Sequence, residues 1–136
     1  MFHSLPDNAR IWVFIPDRKL TDSEKNQLVY EGMAFISQWN SHGRPLNAQC
    51  ETLGSAWILA ADEREVQASG CSMDKINLFV KAQGAELRID FFNRMKVLEY
   101  YEGQWCVADF QVEKVDLVIH SAIVQLRELR ARTVGL

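Results

Sequence analysis

Residues 68–75, ASGCSMDK, contain the thiol of Cys71, the best candidate nucleophile in the chain. The stretch precedes an apolar run with helical spacing, so Cys71 is predicted to lie at the start of a helix. Unpaired backbone N–H groups and the helix dipole at such a position favour the thiolate, which is the nucleophilic form of cysteine. The pattern is therefore compatible with a reactive thiol.

Small polar neighbours suggest two further interpretations of the same turn. Ser69, Gly70 and Ser72 make the turn compact, and its N–H groups are able to bind a carboxylate or a phosphate without covalent chemistry. Asp74 opposes a thiolate, because a nearby carboxylate disfavours a second negative charge. In the structural alternative, Ser69 or Ser72 caps the helix and Cys71 is a small buried residue. We expect that alternative, with Cys71 not activated.

Three side chains elsewhere complete the candidate site. Histidine is a common general base in proteins, and His42 lies in the helix-to-strand loop WNSHGRPL, so it is a candidate base for Cys71. Trp39 begins that stretch and is interpreted as a core residue. Arg94, in DFFNRMK, is able to grip a carboxylate or a phosphate. The structural alternatives are a solvent-exposed histidine at a helix end and an Arg94 that pairs with Asp90, and both are favoured.

The composition is that of an ordinary globular domain. The 136 residues are 48% hydrophobic and 24% charged, which predicts one domain over residues 1–136. The net charge of −3 gives no support to a nucleic-acid or an anionic-membrane partner. No segment approaches the ~20 apolar residues of a membrane-spanning helix, and the N-terminus does not resemble a secretory signal.

The spacing of the cysteines and the absence of common motifs argue against several kinds of functional site. The three cysteines are widely spaced without a CxxC pair, which disfavours a disulfide framework and a zinc site. His3 and His120 lack partners at metal-ligand spacing, so no metal is expected. The chain contains no G-x-x-x-x-G-K-[ST], GxGxxG or G-x-S-x-G motif. We expect a reduced, cytoplasmic protein without a cofactor.

Hydrophobic patterns predict the elements that position these residues. The runs over 11–15 and 56–61 are continuously apolar and predict central strands, whereas residues 46–51 alternate and predict an edge strand. Thr21 and Glu24 form a capping-box signature for a first helix, in which Gly32 would allow close packing on a sheet. A second helix is predicted from about residue 72 to residue 83.

The remaining elements complete a fold prediction. A short strand is predicted over 86–90, and a hairpin over 96–109 turns at Glu102 and Gly103. The order of elements predicts an α+β fold with a ferredoxin-like split βαβ core, in which an antiparallel sheet carries two helices on one face. A C-terminal hairpin and helix follow. Residues 109–132 fit one long helix or a strand near 116–120 followed by a helix, and we favour the second.

Five stretches together resemble a known family. They are PDNARIWVFIPDRKLTD, FISQWNSHGRPLNA, ILAADE, ASGCSMDK and DFFNRMKV, and they are similar to small, uncharacterised Bacteroidetes proteins often named ABC transporter ATPase. The resemblance covers about residues 5–101. It implies that nine residues occupy the family's motif positions: Trp39, His42, Gly43, Ser69, Gly70, Cys71, Ser72, Asp74 and Arg94. No established chemistry comes with them.

Two functions are compatible with these observations. The first is a non-catalytic domain that binds a small anionic ligand or a protein partner, with homo-oligomerisation through the outer face of the sheet left open. The predicted ligand-binding residues are Trp39, His42, Ser69, Gly70, Cys71, Ser72, Asp74 and Arg94. The alternative is a thiol-dependent enzyme with Cys71 as nucleophile and His42 as base.

Overall fold

A computed structural model describes residues 1–114 and 117–135 in full and the backbone of residues 115 and 116. This part of the chain holds three α-helices and three small antiparallel sheets. The elements in chain order are β1 (Arg10–Phe14), α1 (Asp22–Gln38), β2 (Asn40–Ser41), β3 (Arg44–Pro45), β4 (Asn47–Leu53), β5 (Ala56–Asp62), α2 (Gly70–Leu87), β6 (Lys96–Tyr101), β7 (Gln104–Asp109), a 3-10 helix (Val112–Leu117), β8 (Val118–His120) and α3 (Leu126–Thr133). Among the described helices, none combines the length and the apolarity that crossing a bilayer requires.

The central sheet has the strand order β1-β5-β4. Residues 56–61 of β5 are 0% exposed, because both faces of the strand are covered. Trp57 and Leu59 face α1 and α2, whereas Ile58 faces the opposite way, toward the second sheet and α3. The unbroken apolar run in the sequence reflects this double burial.

Helix α1 begins and packs as its sequence predicts. Thr21 and Glu24 form the capping box, and Leu28 and Gly32 are buried. A Cβ atom at Gly32 would lie 2.5 Å from the Sγ atom of Cys50 on β4. The glycine therefore allows the helix to lie close against the sheet, as expected.

A second sheet, β7-β6-β8, covers the other face of the central one. Its hairpin turns at Glu102 and Gly103, whose φ angles of 48° and 82° are typical of a type I′ turn. β8 and α3 confirm the prediction of a strand followed by a helix. Leu98, Ile119 and Leu126 join the core beneath this sheet. This core covers the face of the central sheet that lies opposite α1 and α2. Homo-oligomerisation through that outer face is therefore not available.

The α+β class and the two helices on one face of an antiparallel sheet are confirmed, but the ferredoxin-like strand order is not. The strand predicted over 86–90 is wrong, because α2 continues to Leu87 and ends at Arg88 in a left-handed conformation (φ 58°). The N–H of Ile89 then donates to the carbonyl of Gly84. This helix-end geometry bends the chain where a strand would need it extended. β1, predicted to be central, is consequently an edge strand.

Candidate functional site

The two serines of the predicted site hold the start of α2 together. The Oγ atom of Ser69 accepts from the N–H of Ser72 (3.1 Å), and the Oγ atom of Ser72 accepts from the N–H of Ser69 (3.2 Å). The Ser72 hydroxyl also donates to the carbonyl oxygen of Asn40 on β2 (2.8 Å). Ser69 is thus the helix cap that the structural alternative proposed. The helix begins at Gly70, two residues earlier than predicted.

Trp39 links the end of α1 to the start of α2. Its indole Nε1–H donates to the carbonyl oxygen of Ser72 (2.9 Å), and its ring packs edge-on against Trp12 with 5.2 Å between ring centroids. The side chain is buried. Trp39 is therefore a core residue, as interpreted from the sequence, and its polar atom already has a partner.

Cys71, His42 and Asp74 are exposed, so the interpretation of Cys71 as a buried residue is wrong. Asp74 lies beyond the first turn because the helix starts early. His42 lies in the turn between β2 and β3 with a left-handed φ of 52°. The bond from Ser72 to β2 brings this turn to the same side of the molecule as Cys71. Within the described residues, however, no hydrogen bond joins His42 to Cys71, so no activated pair is formed.

Arg94 belongs to a different surface. It lines two neighbouring grooves, and neither groove includes His42 or Cys71. Its predicted pairing with Asp90 is wrong: the Asp90 carboxylate accepts from the N–H of Phe92 (2.8 Å), and Arg94 has no ion pair within the described residues. The structure therefore separates Arg94 from the rest of the predicted site.

Sequence reasoning missed the free edge of β1. The hairpin between β4 and β5 closes at the pair Leu53 and Ala56, and hydrogen-bonding direction alternates along an antiparallel strand. Trp57 and Leu59 therefore bond to β1, at Phe14 and Trp12, and residues 11 and 13 of β1 direct their backbone groups outward.

One of these outward residues has a partner and the other does not. The N–H of Ile11 donates to the carbonyl of Val124 (2.9 Å), which confirms the outward direction. The N–H and C=O of Val13 point away from β5, and among the described residues neither group has a hydrogen-bond partner on that outer side. Val13 is 3% exposed. A backbone pair with so little access to water usually finds a partner.

The free edge is the floor of a groove of about 250 Å³, which we call the edge groove. Residues 11–14 form the floor, and Asn77 of α2 contributes to one side. Two loops complete the lining: one contributes Phe91, Phe92 and Arg94, and the other contributes Ser121, Ile123 and Val124. Phe92 and Val124 are 40% and 52% exposed, so the rim is apolar and accessible.

The edge groove is also cationic. Arg10 and Arg94 line it, and its lining contains no Asp or Glu. The Arg10 guanidinium lies over the ring of Trp12, 5.1 Å from the centroid, and the Lys81 ammonium lies 5.6 Å from the centroid of Phe92. Such cation–π contacts hold each charge near the groove without neutralising it. In a chain with a net charge of −3, this surface is locally positive.

The other potentially reactive groups give little support to catalysis. Burial raises the pKa of the Cys50 thiol to about 11, so Cys50 stays protonated. Burial also lowers the pKa of His120, and the nearby Arg132 lowers it further. Among the side chains that the structure describes, no group of three His, Cys, Asp or Glu residues is close enough together to hold a metal ion.

Comparison with protein-family models, curated proteins and solved structures yields no match for this chain. The similarity to the Bacteroidetes family therefore stays a prediction, and function has to be argued from the site itself.

Proposed function

We propose that the chain is a non-catalytic binding domain that holds an extended segment of a partner protein against the free edge of β1. The observation that carries this proposal is the unpaired backbone N–H and C=O of Val13 on the floor of the edge groove. An extended segment supplies one acceptor and one donor at the matching spacing, as in β-strand addition. The apolar rim supplies side-chain contacts.

The groove sets the length of such a segment. The bond between Ile11 and Val124 closes the β1 edge at one end, so a new strand can pair only from Val13 onward. Outward-directed residues of a strand recur about every 6.8 Å, twice the rise per residue. The bound segment is therefore short, with its central residue opposite Val13.

The thiol-dependent enzyme is the alternative function. The exposure of Cys71 favours it, and so does the bond between Ser72 and Asn40, which brings the turn of His42 near the helix start. Thiol catalysis requires a base within hydrogen-bond reach of the sulfur. No such bond joins His42 to Cys71 among the described residues, so we favour the binding domain.

Selection from a phage-displayed library of random heptapeptides tests the proposal. The variant Val13→Pro serves as the counter-target, because proline removes an outward N–H, which an edge strand tolerates. Circular dichroism and thermal unfolding establish that the variant is folded. We expect enriched peptides to bind the native protein, to lose binding to Val13→Pro, and to slow hydrogen exchange at the Val13 amide.

Peptide chemistry gives a second readout that does not depend on the variant. Because a strand pairs through alternate residues, N-methylation should abolish binding at the one peptide residue whose N–H pairs with Val13 and be tolerated at the residues on either side of it. The absence of enriched peptides, or equal tolerance at every position, would overturn the proposal. Protection of Val13 that grows with protein concentration in the absence of peptide would also overturn it, since the edge would then pair with a second copy.

A further inference from the structure

We infer that the segment bound in the edge groove is acidic, with carboxylate side chains recognised by Arg10 and Arg94. This inference rests on the proposed function and specifies the chemistry of the partner. Both arginines line the groove, and no lining residue carries a negative charge. Arginine binds carboxylates through two parallel N–H donors, which makes a carboxylate the matching group.

Other arginines show what an internally used guanidinium looks like in this protein. Arg18 pairs with Glu24, Arg64 pairs with Asp62, and Arg130 pairs with Asp7.

By contrast, five arginines form neither an ion pair nor a side-chain hydrogen bond within the described residues: Arg10, Arg44, Arg88, Arg94 and Arg127. Of these five, only Arg10 and Arg94 line the edge groove. Their charges are therefore available to a ligand. Arg10 comes from β1 itself, and its guanidinium lies over the ring of Trp12, which also lines the groove. Arg94 comes from the loop after Phe92 and lines the groove as well.

The rim adds a second requirement. Exposed Val124 lies at the Ile11 end of the floor and exposed Phe92 packs on Phe14 at the other end, so a segment laid along the floor also meets apolar side chains. Successive side chains of a strand point to opposite faces. The expected occupant is a short extended segment in which acidic and apolar residues are interspersed.

Charge-matched peptides test the inference. Each heptapeptide enriched in the phage selection is synthesised in its native form and with Gln or Asn in place of every Glu or Asp. We expect each carboxylate to contribute about two- to fivefold in Kd, within the range of an exposed ion pair, and we expect the preference to weaken at high salt. Titration calorimetry at 20 mM and 300 mM salt measures both effects.

Protein variants assign the effect to the two arginines. Arg94→Gln and Arg10→Gln should each weaken binding of the acidic peptide about two- to fivefold and leave binding of its amide form unchanged. Arg44→Gln is the matched control, since Arg44 is exposed on β3 and does not line the groove. It should change neither affinity.

Two outcomes separate this inference from the proposed function. Equal binding of acidic and amide peptides, with Val13 still protected from exchange, would overturn the acidic preference and leave the strand-addition proposal intact. Free N-acetylglutamate binding as tightly as the peptides, without protection of Val13, would show a small-anion site and overturn both.

Discussion

The contact between Gly32 on α1 and Cys50 on β4 leaves no room for a side chain at residue 32, and a substitution there tests how closely the helix packs on the sheet. A Cβ atom at residue 32 would lie 2.5 Å from the Cys50 sulfur and 3.2 Å from the Nε1 atom of Trp57. Ordinary contact begins near 3.4 Å, so α1 would have to move by about 1 Å. Overpacking of this kind costs about 1–3 kcal/mol, while alanine gains about 0.5–1 kcal/mol of helix propensity. We expect Gly32→Ala to lower the free energy of unfolding by about 1–2 kcal/mol.

When the Cys50 sulfur is removed, Gly32→Ala should become stabilising instead of destabilising. The Cys50 thiol accepts a hydrogen bond from Trp57 Nε1 (3.0 Å), so Cys50→Ala alone leaves a buried donor without a partner and costs about 1–3 kcal/mol. In that background the methyl group of Gly32→Ala enters the vacated space and keeps only the milder 3.2 Å contact with Trp57 Nε1, so its helix-propensity gain outweighs the remaining overpacking. The double variant should therefore be more stable than Cys50→Ala, with a coupling energy of about 1–3 kcal/mol.

Urea unfolding of the four proteins, followed by tryptophan fluorescence, measures this cycle. Gly70→Ala is the control, because a Cβ at that helix position meets nothing within 4 Å, and we expect it to be nearly neutral. If Gly32→Ala is equally destabilising with and without the Cys50 sulfur, the cost does not come from the sulfur contact and our reasoning is wrong.

Three further predictions concern the predicted site and the helix starts. Ser72→Ala should lower the free energy of unfolding by about 1–3 kcal/mol, because it removes the hydroxyl that accepts from the Ser69 N–H in the capping box and donates to β2, and chemical denaturation measures the loss. Iodoacetamide at pH 8 should label exposed Cys71 and Cys106 and leave buried Cys50 unlabelled, as peptide mass mapping will show. Labelling of Cys71 at pH 6 many times faster than Cys106 would instead favour the thiol enzyme. The hydrogen-bonded arginine beside Glu24 holds the pKa of its carboxyl at about 2, against an ordinary value of 4.5. A carboxyl whose pKa is depressed in the folded state stabilises the fold at pH values above its pKa in the unfolded chain. The difference in stability between the native protein and Glu24→Gln should therefore close as the pH falls from about 4.5 to about 2. A difference in urea midpoints that does not change with pH would contradict this.

Features set by a few neighbouring residues could be predicted from the sequence. The capping box of Thr21 and Glu24 depends on residues three apart, and the type I′ turn at Glu102 and Gly103 depends on two adjacent ones. The close approach at Gly32 could also be anticipated, because the glycine lay on the apolar face of a predicted helix. In each case, local chemistry alone determines the geometry.

The candidate site was harder to predict because it depends on competition between partners. Asp90 was expected to pair with Arg94, but its carboxylate accepts the N–H two residues further on, a bond that needs little ordering. Cys71 was expected to be buried, but the helix begins two residues early and Ser72 takes the inward position. Which of several small residues points inward depends on where the helix starts, and the sequence does not fix that to within two residues.

The incorrectly predicted strand over 86–90 explains why the edge groove exists. Leu87, Ile89 and Phe91 do pack on the same core, so the period-two pattern correctly identified the buried side. The pattern could not indicate whether the backbone forms the hydrogen bonds of a β-strand, and the left-handed conformation of Arg88 prevents them. In the ferredoxin-like order a fourth strand would pair with β1 at Val13. Its absence leaves that edge unpaired between two loops.

An unpaired edge is a hazard, because any other strand can pair with it, including β1 of a second copy. Charge at the edge reduces this risk, since two identical edges then repel one another. Arg10 and Arg94 place two positive charges along the groove, and no lining carboxylate neutralises them. The same charges attract an acidic segment and disfavour a second copy of this chain, whose edge carries the same two arginines. The cationic groove therefore accounts both for selection of an acidic partner and for protection of an open strand edge against self-association.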